Sequence, residues 1–318
     1  MIMDGRTRVR RWAGFGAAGT LAMYLLVKVV WVVVALGTGR SPVHGMGTGA
    51  WIALNTLTVG MAVVGIGLAL ALACDWGLRL PAAPVLLFAW IAGGLLISAV
   101  PFSLLGSLVG GGGGDDGGGA SSDDGGMPSW EALLIMVGFA GMAVGVAIAL
   151  PIYLRERWPR ALTGRVGALR AANAPWAVMA AVAAIAVADL YWAAGGGAAT
   201  NPHYKDGLDA TARSLLIGDA FWAAAGAASA WVLAGRARNL PLRLPVAAAF
   251  VASGSLVGWG LWRLPFAVLR PGDFEPYERP WASIAVNAVS VAAGVALAVH
   301  LARAVRARTG GQEPADAK

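Results

Sequence analysis

Of the 318 residues, 58% are hydrophobic and only 13% are charged, and the mean hydropathy is +0.67. Soluble domains carry about 25% charge, so a soluble globular chain is excluded. The formal charge of +7 does not mark a nucleic-acid binder, because the basic residues sit in short joints between apolar runs instead of on one face.

A bilayer core of about 30 Å needs about 20 apolar residues per helix. Taken in chain order, the runs that qualify are Trp12–Leu36, Trp51–Cys74, Pro84–Leu105, Trp130–Leu154, Pro175–Ala194, Ser214–Ala234, Pro245–Leu269 and Trp281–Leu301. The expected fold is all-α, a polytopic membrane protein with eight transmembrane helices. The first run contains Lys28 and is too long for a signal-peptide core, so it reads as an uncleaved span. Residues 1–11 read as a cytoplasmic N-terminal tail and 304–318 as a C-terminal one. Residues 106–129, with Asp115-Asp116 and Asp123-Asp124 among glycines, read as a flexible external loop. Their spacing matches neither an EF-hand nor a Gly-rich calcium repeat. Residues 155–174 form a basic cytoplasmic linker.

Arginines set the orientation. With the N-terminus inside, inner joints hold Arg6 to Arg11, Arg79, Arg155 to Arg170, Arg236 to Arg243 and Arg303 to Arg308. Outer joints hold Arg40, Lys205, Arg213, Arg270 and Arg279. The positive-inside rule then predicts cytoplasmic N- and C-termini. Tryptophans gather near both ends of the runs, as an aromatic belt requires. The Ala, Gly and Arg richness fits a bacterial genome of high GC content, and hence a bacterial plasma membrane.

The order of motifs suggests two parallel four-helix repeats, 12–105 plus 130–154 and 175–303. Leu78-Arg79-Leu80-Pro81 recurs as Leu242-Arg243-Leu244-Pro245, and at the same offset Pro101-Phe102 meets Pro265-Phe266 and Asn55 meets Asp219. With small gaps, Lys28-x-x-Trp31 meets Asp189-x-x-Trp192. The stretch Asp189-Leu190-Tyr191-Trp192-Ala193-Ala194-Gly195-Gly196 resembles a polar-x-Tyr-Trp-Ala-x-Gly-Gly signature of integral membrane proteins of high-GC Gram-positive bacteria. That family has no assigned activity, so the resemblance implies none here. Near Lys28 the pattern departs, with Val30 for the Tyr and no paired glycines.

Ionisable groups inside apolar runs are expensive and by default point to function. At 1.5 Å per residue, Lys28 lies roughly 12 Å from the outer end of its run, and Asp189, Asp219 and Arg263 lie roughly 7–9 Å in. Asn55 and Asn287 fall in the same layer, and Trp31, Trp192 and Trp222 each follow a charge by three residues, on the same helical face. The expectation is a shallow outward-facing pocket between the repeats, lined by these nine residues, that binds or transports a small solute or ion. The competing reading is structural or sensory: Lys28 and Arg263 neutralise Asp189 and Asp219 and only lock the halves together. A membrane-embedded enzyme is the third class. It is disfavoured because no P-loop, dinucleotide, HExxH or Gly-x-Ser-x-Gly motif appears.

No cofactor or metal is expected. Cys74 is the lone cysteine, and His44 and His203 would need further ligands to hold a metal. The bilayer is the expected partner, nucleic acid is not, and Gly141-x-x-x-Gly145, Gly93-Gly94 and the Ala225–Ser229 face serve either intrachain packing or a homodimer.

Overall fold

A computed structural model describes residues 5–39, 47–110, 129–159, 163–166, 175–198, 208–236, 239–269 and 280–309. His44, His203 and the Asp pairs of the Gly/Asp tract lie outside them. In lipid every backbone polar group must be satisfied within its own segment, which leaves the helix as the only open-ended solution. The described chain follows that rule. Its helices are α1 (Gly5–Thr38), α2 (Thr48–Ala73), α3 (Ala82–Ala92), α4 (Ser98–Val109), α5 (Ser129–Arg157), α6 (Trp176–Ala193), α7 (Ala210–Trp231), α8 (Arg243–Leu269) and α9 (Pro280–Thr309). A π-helical turn at Gly93–Ile97 joins α3 to α4 as one span. Eight spans are thus long and apolar enough to cross a membrane. The protein is an all-α polytopic membrane protein.

Large apolar side chains such as Leu26, Val33, Leu57 and Val63 point outward, as lipid solvation allows. Small residues fill the inside. Within the first four spans, α1 packs on α2 and α5, and the α3–α4 span packs on α2 and α5. Within the last four, α6 packs on α7, α7 on α8, α8 on α9 and α9 back on α6. The two sets meet where the α3–α4 span crosses α8 and where α4 lies along α7. No comparable packing joins α8 to α2.

The crossing is built on backbone contact. A Cβ on Gly94 would overlap the backbone of Gly254, and one on Gly254 would overlap the Trp90 carbonyl. Around this point the Trp90 indole donates to Ser253 Oγ at 2.9 Å, Ser255 Oγ donates to Ser98 Oγ at 3.1 Å, and the Trp259 indole donates to the same Ser98 oxygen at 3.3 Å. Ser98 in turn donates to Gly94 O, at the π turn. The other small-residue signals are also met within the chain. Gly141 faces Thr20, Gly145 faces Ala13 and Ala17, and Gly226 faces Ala252 and Leu297.

Several boundaries fall beyond the apolar runs. Helix α1 starts at Gly5, inside the expected tail, and carries Arg10 into the protein with no exposed surface. Its guanidinium donates to Leu72 O at 2.6 Å and Asp75 Oδ1 at 3.0 Å, and lies 3.0 Å from Glu156 Oε2. Arg11 reaches the other Asp75 oxygen at 2.6 Å. Arg157 and Tyr153 bind the Gly77 carbonyl, so the 3-10 elbow Asp75–Arg79 between α2 and α3 is tied from both sides. Helix α4 runs to Val109 and buries Gly106 of the expected loop against Thr211. In the basic linker, Val166 is buried and its N–H donates to Leu240 O at 3.0 Å. Helix α9 continues to Thr309.

Two pairs of changes test this packing by thermal unfolding of the purified protein in detergent. Gly254→Val forces the crossing apart and should destabilise by about 1–3 kcal/mol, as overpacking does, whereas Gly67→Ala, with open space around it, should be neutral. Arg10→Ala leaves Glu156 and a buried carbonyl unanswered and should cost roughly 2–4 kcal/mol. The more exposed Arg11→Ala should cost under about 1 kcal/mol. Partial desolvation pushes the Asp75 carboxyl up, but the hydrogen bonds and charges of Arg10 and Arg11 outweigh it and hold the group below the usual carboxylate range. The contribution of this pair is therefore present above the unfolded value of about 4, and it is lost as pH falls through the depressed folded value.

Candidate functional site

Inside the ring of α6, α7, α8 and α9 lies a cavity of about 200 Å³, near the end where α6 stops and α7 starts. Each helix contributes by its own periodicity. Asp189 and Trp192 are one turn apart on α6, Asp219 and Trp222 one turn apart on α7, Trp259 and Arg263 one turn apart on α8, and Ser283, Asn287 and Ser290 follow each other on α9.

The end of α6 explains the paired glycines. Ala194 caps the helix, Gly195 turns to φ +92°, its N–H donates to Trp192 O at 2.9 Å, and the Gly196 N–H donates to Tyr191 O at 2.9 Å. These are the two bonds of a Schellman stop, which glycine enters without Cβ strain. Gly196 also lacks a Cβ because the Tyr191 ring lies over it. The loop is then pinned back: the Trp192 indole donates to Ala198 O at 3.0 Å, and the Ala198 N–H donates to the Tyr191 hydroxyl at 3.3 Å. The stop leaves Asp189 one turn from the helix end. Helix α1 has no such stop after Trp31 and runs on to Thr38.

Three charged side chains line the cavity, and two of them answer each other. Arg263 Nη2 lies 2.8 Å from Asp219 Oδ2, and its guanidinium sits 5.3 Å from the centre of the Trp259 ring. Asp189 has only 5% of its surface exposed, yet it makes no hydrogen bond or ion pair among the described residues. Asn287 Nδ2 is satisfied by Ser283, through its carbonyl at 2.9 Å and its hydroxyl at 3.3 Å. The Trp222 indole nitrogen is buried without an acceptor among the described residues. Searches of protein-family models, curated proteins and solved structures give no match to this chain. The site therefore has to be read from its own chemistry.

Of the nine expected site residues, the cavity gathers Asp189, Asp219, Arg263, Asn287, Trp192 and Trp222. Lys28, Asn55 and Trp31 are elsewhere, between α1 and α2. Lys28 Nζ donates to Asn55 Oδ1 at 2.9 Å and lies 4.2 Å from the centre of the Trp31 ring, and Trp31 packs on Trp51 at 6.0 Å. The cavity thus lies inside the last four spans, not between the two sets as expected. The physical reason is that α1 packs on α2 and α5 whereas α6 packs on α7 and α9, so residues at matching sequence positions end up in different bundles. Ser255, Trp259, Ser283 and Ser290 line the cavity without having been singled out. Their signal was the helical spacing from Arg263 and Asn287: Trp259, Ser283 and Ser290 lie one turn away and Ser255 two turns away on the same faces. Among the described residues no group of three or more His, Cys, Asp or Glu is placed to hold a metal ion.

The charge arrangement orders the variants by stability. Asp219→Asn and Arg263→Gln each leave one charge of the pair unanswered in a half-buried site and should cost about 1–3 kcal/mol, with the double variant recovering part of it. Asp189→Asn removes a buried charge that has no hydrogen-bond or ion-pair partner among the described residues, and it should leave the melting temperature unchanged or raise it. A double-mutant cycle in thermal unfolding checks all four proteins.

Proposed function

We propose that the protein binds or transports a small solute or ion through this cavity, which opens to the outer face of a bacterial plasma membrane. The observation that carries the reading is Asp189: a nearly buried carboxylate in a transmembrane helix, lining a cavity, with no hydrogen-bond or ion-pair partner among the described residues. A charge in that position costs several kcal/mol unless something answers it, and such a cost is tolerated where function needs the group. Arg263 pairs with Asp219 and lies against the Trp259 face, and Asp189 is read as the carboxylate left for a ligand or a proton.

The outward direction rests on the distribution of Lys and Arg, which favours cytoplasmic N- and C-termini. The two-repeat arrangement is supported by the neighbour order, since each set of four closes in the sequence first–second–third–fourth. The reading as a lock between the halves has less support. Lys28–Asn55 joins α1 to α2 and Arg263–Asp219 joins α7 to α8, each within one set of four. The surface between the sets is built instead from Gly, Ser, Phe and Trp around Gly94 and Gly254.

The experiment is a thermal-shift and uptake screen of the purified, reconstituted protein over a broad panel of small solutes and ions. A saturable stabilisation that disappears in Asp189→Asn supports the reading. If no solute stabilises the wild type and Asp189→Asn behaves identically throughout, the cavity is not a binding site.

A further inference from the structure

The lining of the cavity restricts what can occupy it, and this step rests on the binding reading above. Its charged groups are Asp189, Asp219 and Arg263. The described lining thus carries one carboxylate more than it carries cations, and because Arg263 pairs with Asp219 at 2.8 Å, Asp189 is the carboxylate without an ion-pair partner among the described residues. An anion would meet that charge without relief. A neutral solute would leave the carboxylate unanswered, or require it to be protonated. A cation answers it directly.

Two kinds of cation remain, and the walls distinguish them. A divalent metal has no cluster of acidic or imidazole ligands to bind among the described residues. An alkali ion needs a shell of converging oxygens to replace its water. Besides the carboxylates, the side-chain oxygens that the lining offers such an ion are those of Ser255, Ser283, Ser290 and Asn287. The rest of the wall is made largely of the aromatic side chains of Trp192, Trp222 and Trp259 with apolar side chains such as Leu216 and Val286. Indole faces attract cations that are weakly hydrated and carry their own apolar surface. The cavity already displays that chemistry once, with the Arg263 guanidinium 5.3 Å from the Trp259 ring centre. At about 200 Å³ it is smaller than the roughly 300–1,000 Å³ of drug-sized pockets, so the occupant is small.

We infer that the cavity between α6, α7, α8 and α9 is a site for a small organic cation, an alkyl- or quaternary ammonium whose charged head meets Asp189 and whose carbon shell lies against Trp192 and Trp222.

The test uses the full-length protein in detergent or nanodiscs, with tryptophan fluorescence and melting temperature as readouts. The probes are tetramethylammonium and propylammonium chloride, with sodium and potassium chloride, tert-butanol and sodium propionate as comparisons at matched ionic strength. The expected result is a saturable response to the ammonium probes alone. That response should be abolished in Asp189→Asn and weakened about tenfold in Trp222→Leu, roughly the size of one desolvated cation–π contact. If Asp189→Asn does not fold, Trp192→Leu and Trp222→Leu decide the matter, and unchanged ammonium affinity in both overturns the assignment. A saturable response to sodium, potassium, tert-butanol or propionate that depends on Asp189, without one to ammonium, also overturns the cation class while leaving the binding reading standing. Silence from these probes, together with silence across the broad solute panel, removes both.

Discussion

One guanidinium stands beside two carboxylates, and the site takes its character from how that mismatch is settled. Arg263 goes to Asp219, 2.8 Å away on the neighbouring helix. In a low-dielectric interior such a pair persists only if both charges are well held, and the Trp259 ring beside the guanidinium helps to hold this one. Asp189 is left as the remainder. Its position follows from the Schellman stop at Gly195-Gly196, which ends α6 one turn beyond the carboxylate and folds the following loop back over Trp192 and Tyr191. The same paired glycines that end the helix therefore fix how deep the carboxylate lies.

Helix α8 belongs to two structures at once. One side of it carries Gly254 and Ser253 into the crossing with the α3–α4 span, and its next turns carry Ser255, Trp259 and Arg263 to the cavity. Ser255 and Trp259 do both, since each lines the cavity and donates to Ser98 of the first four spans. Ser98 sits directly after a π turn, a geometry common at functional positions because it leaves the helix locally wider and its bonding rearranged. The cavity wall and the junction between the two sets of four helices thus share atoms, although the cavity itself lies within one set.

Much of this was legible in the sequence, because hydrophobic length and helical spacing are direct physical signals. Eight apolar runs gave eight spans, and six of the nine polar or aromatic residues singled out by depth and spacing meet in one cavity. Lys28, Asn55 and Trp31 do not, for a geometric reason. Matching positions in a tandem array share a role within their own unit, and their proximity depends on which helices form the junction. That junction is the third span against the sixth and seventh, and α1 does not pack on either among the described residues. Arg10 was hidden for a different reason. Counting arginines as topology markers treats each as a solvated charge, whereas Arg10 is fully buried against Leu72, Asp75 and Glu156, a contact between segments far apart in sequence that no local pattern reports.

The contrast between Lys28 and Asp189 follows from the partners each helix can offer. Lys28 carries its own positive charge and meets a neutral acceptor, Asn55, and two aromatic faces, Trp31 and Tyr24. Those groups suit an ammonium. At the matching position the cavity that Asp189 lines also has indoles in its wall, at Trp192, Trp222 and Trp259, but the negative face of an indole disfavours a carboxylate. In this protein the same aromatic surroundings are therefore complete around one charge and incomplete around the other. What would complete them at Asp189 is what α1 already carries in Lys28: a positive head on an apolar stem.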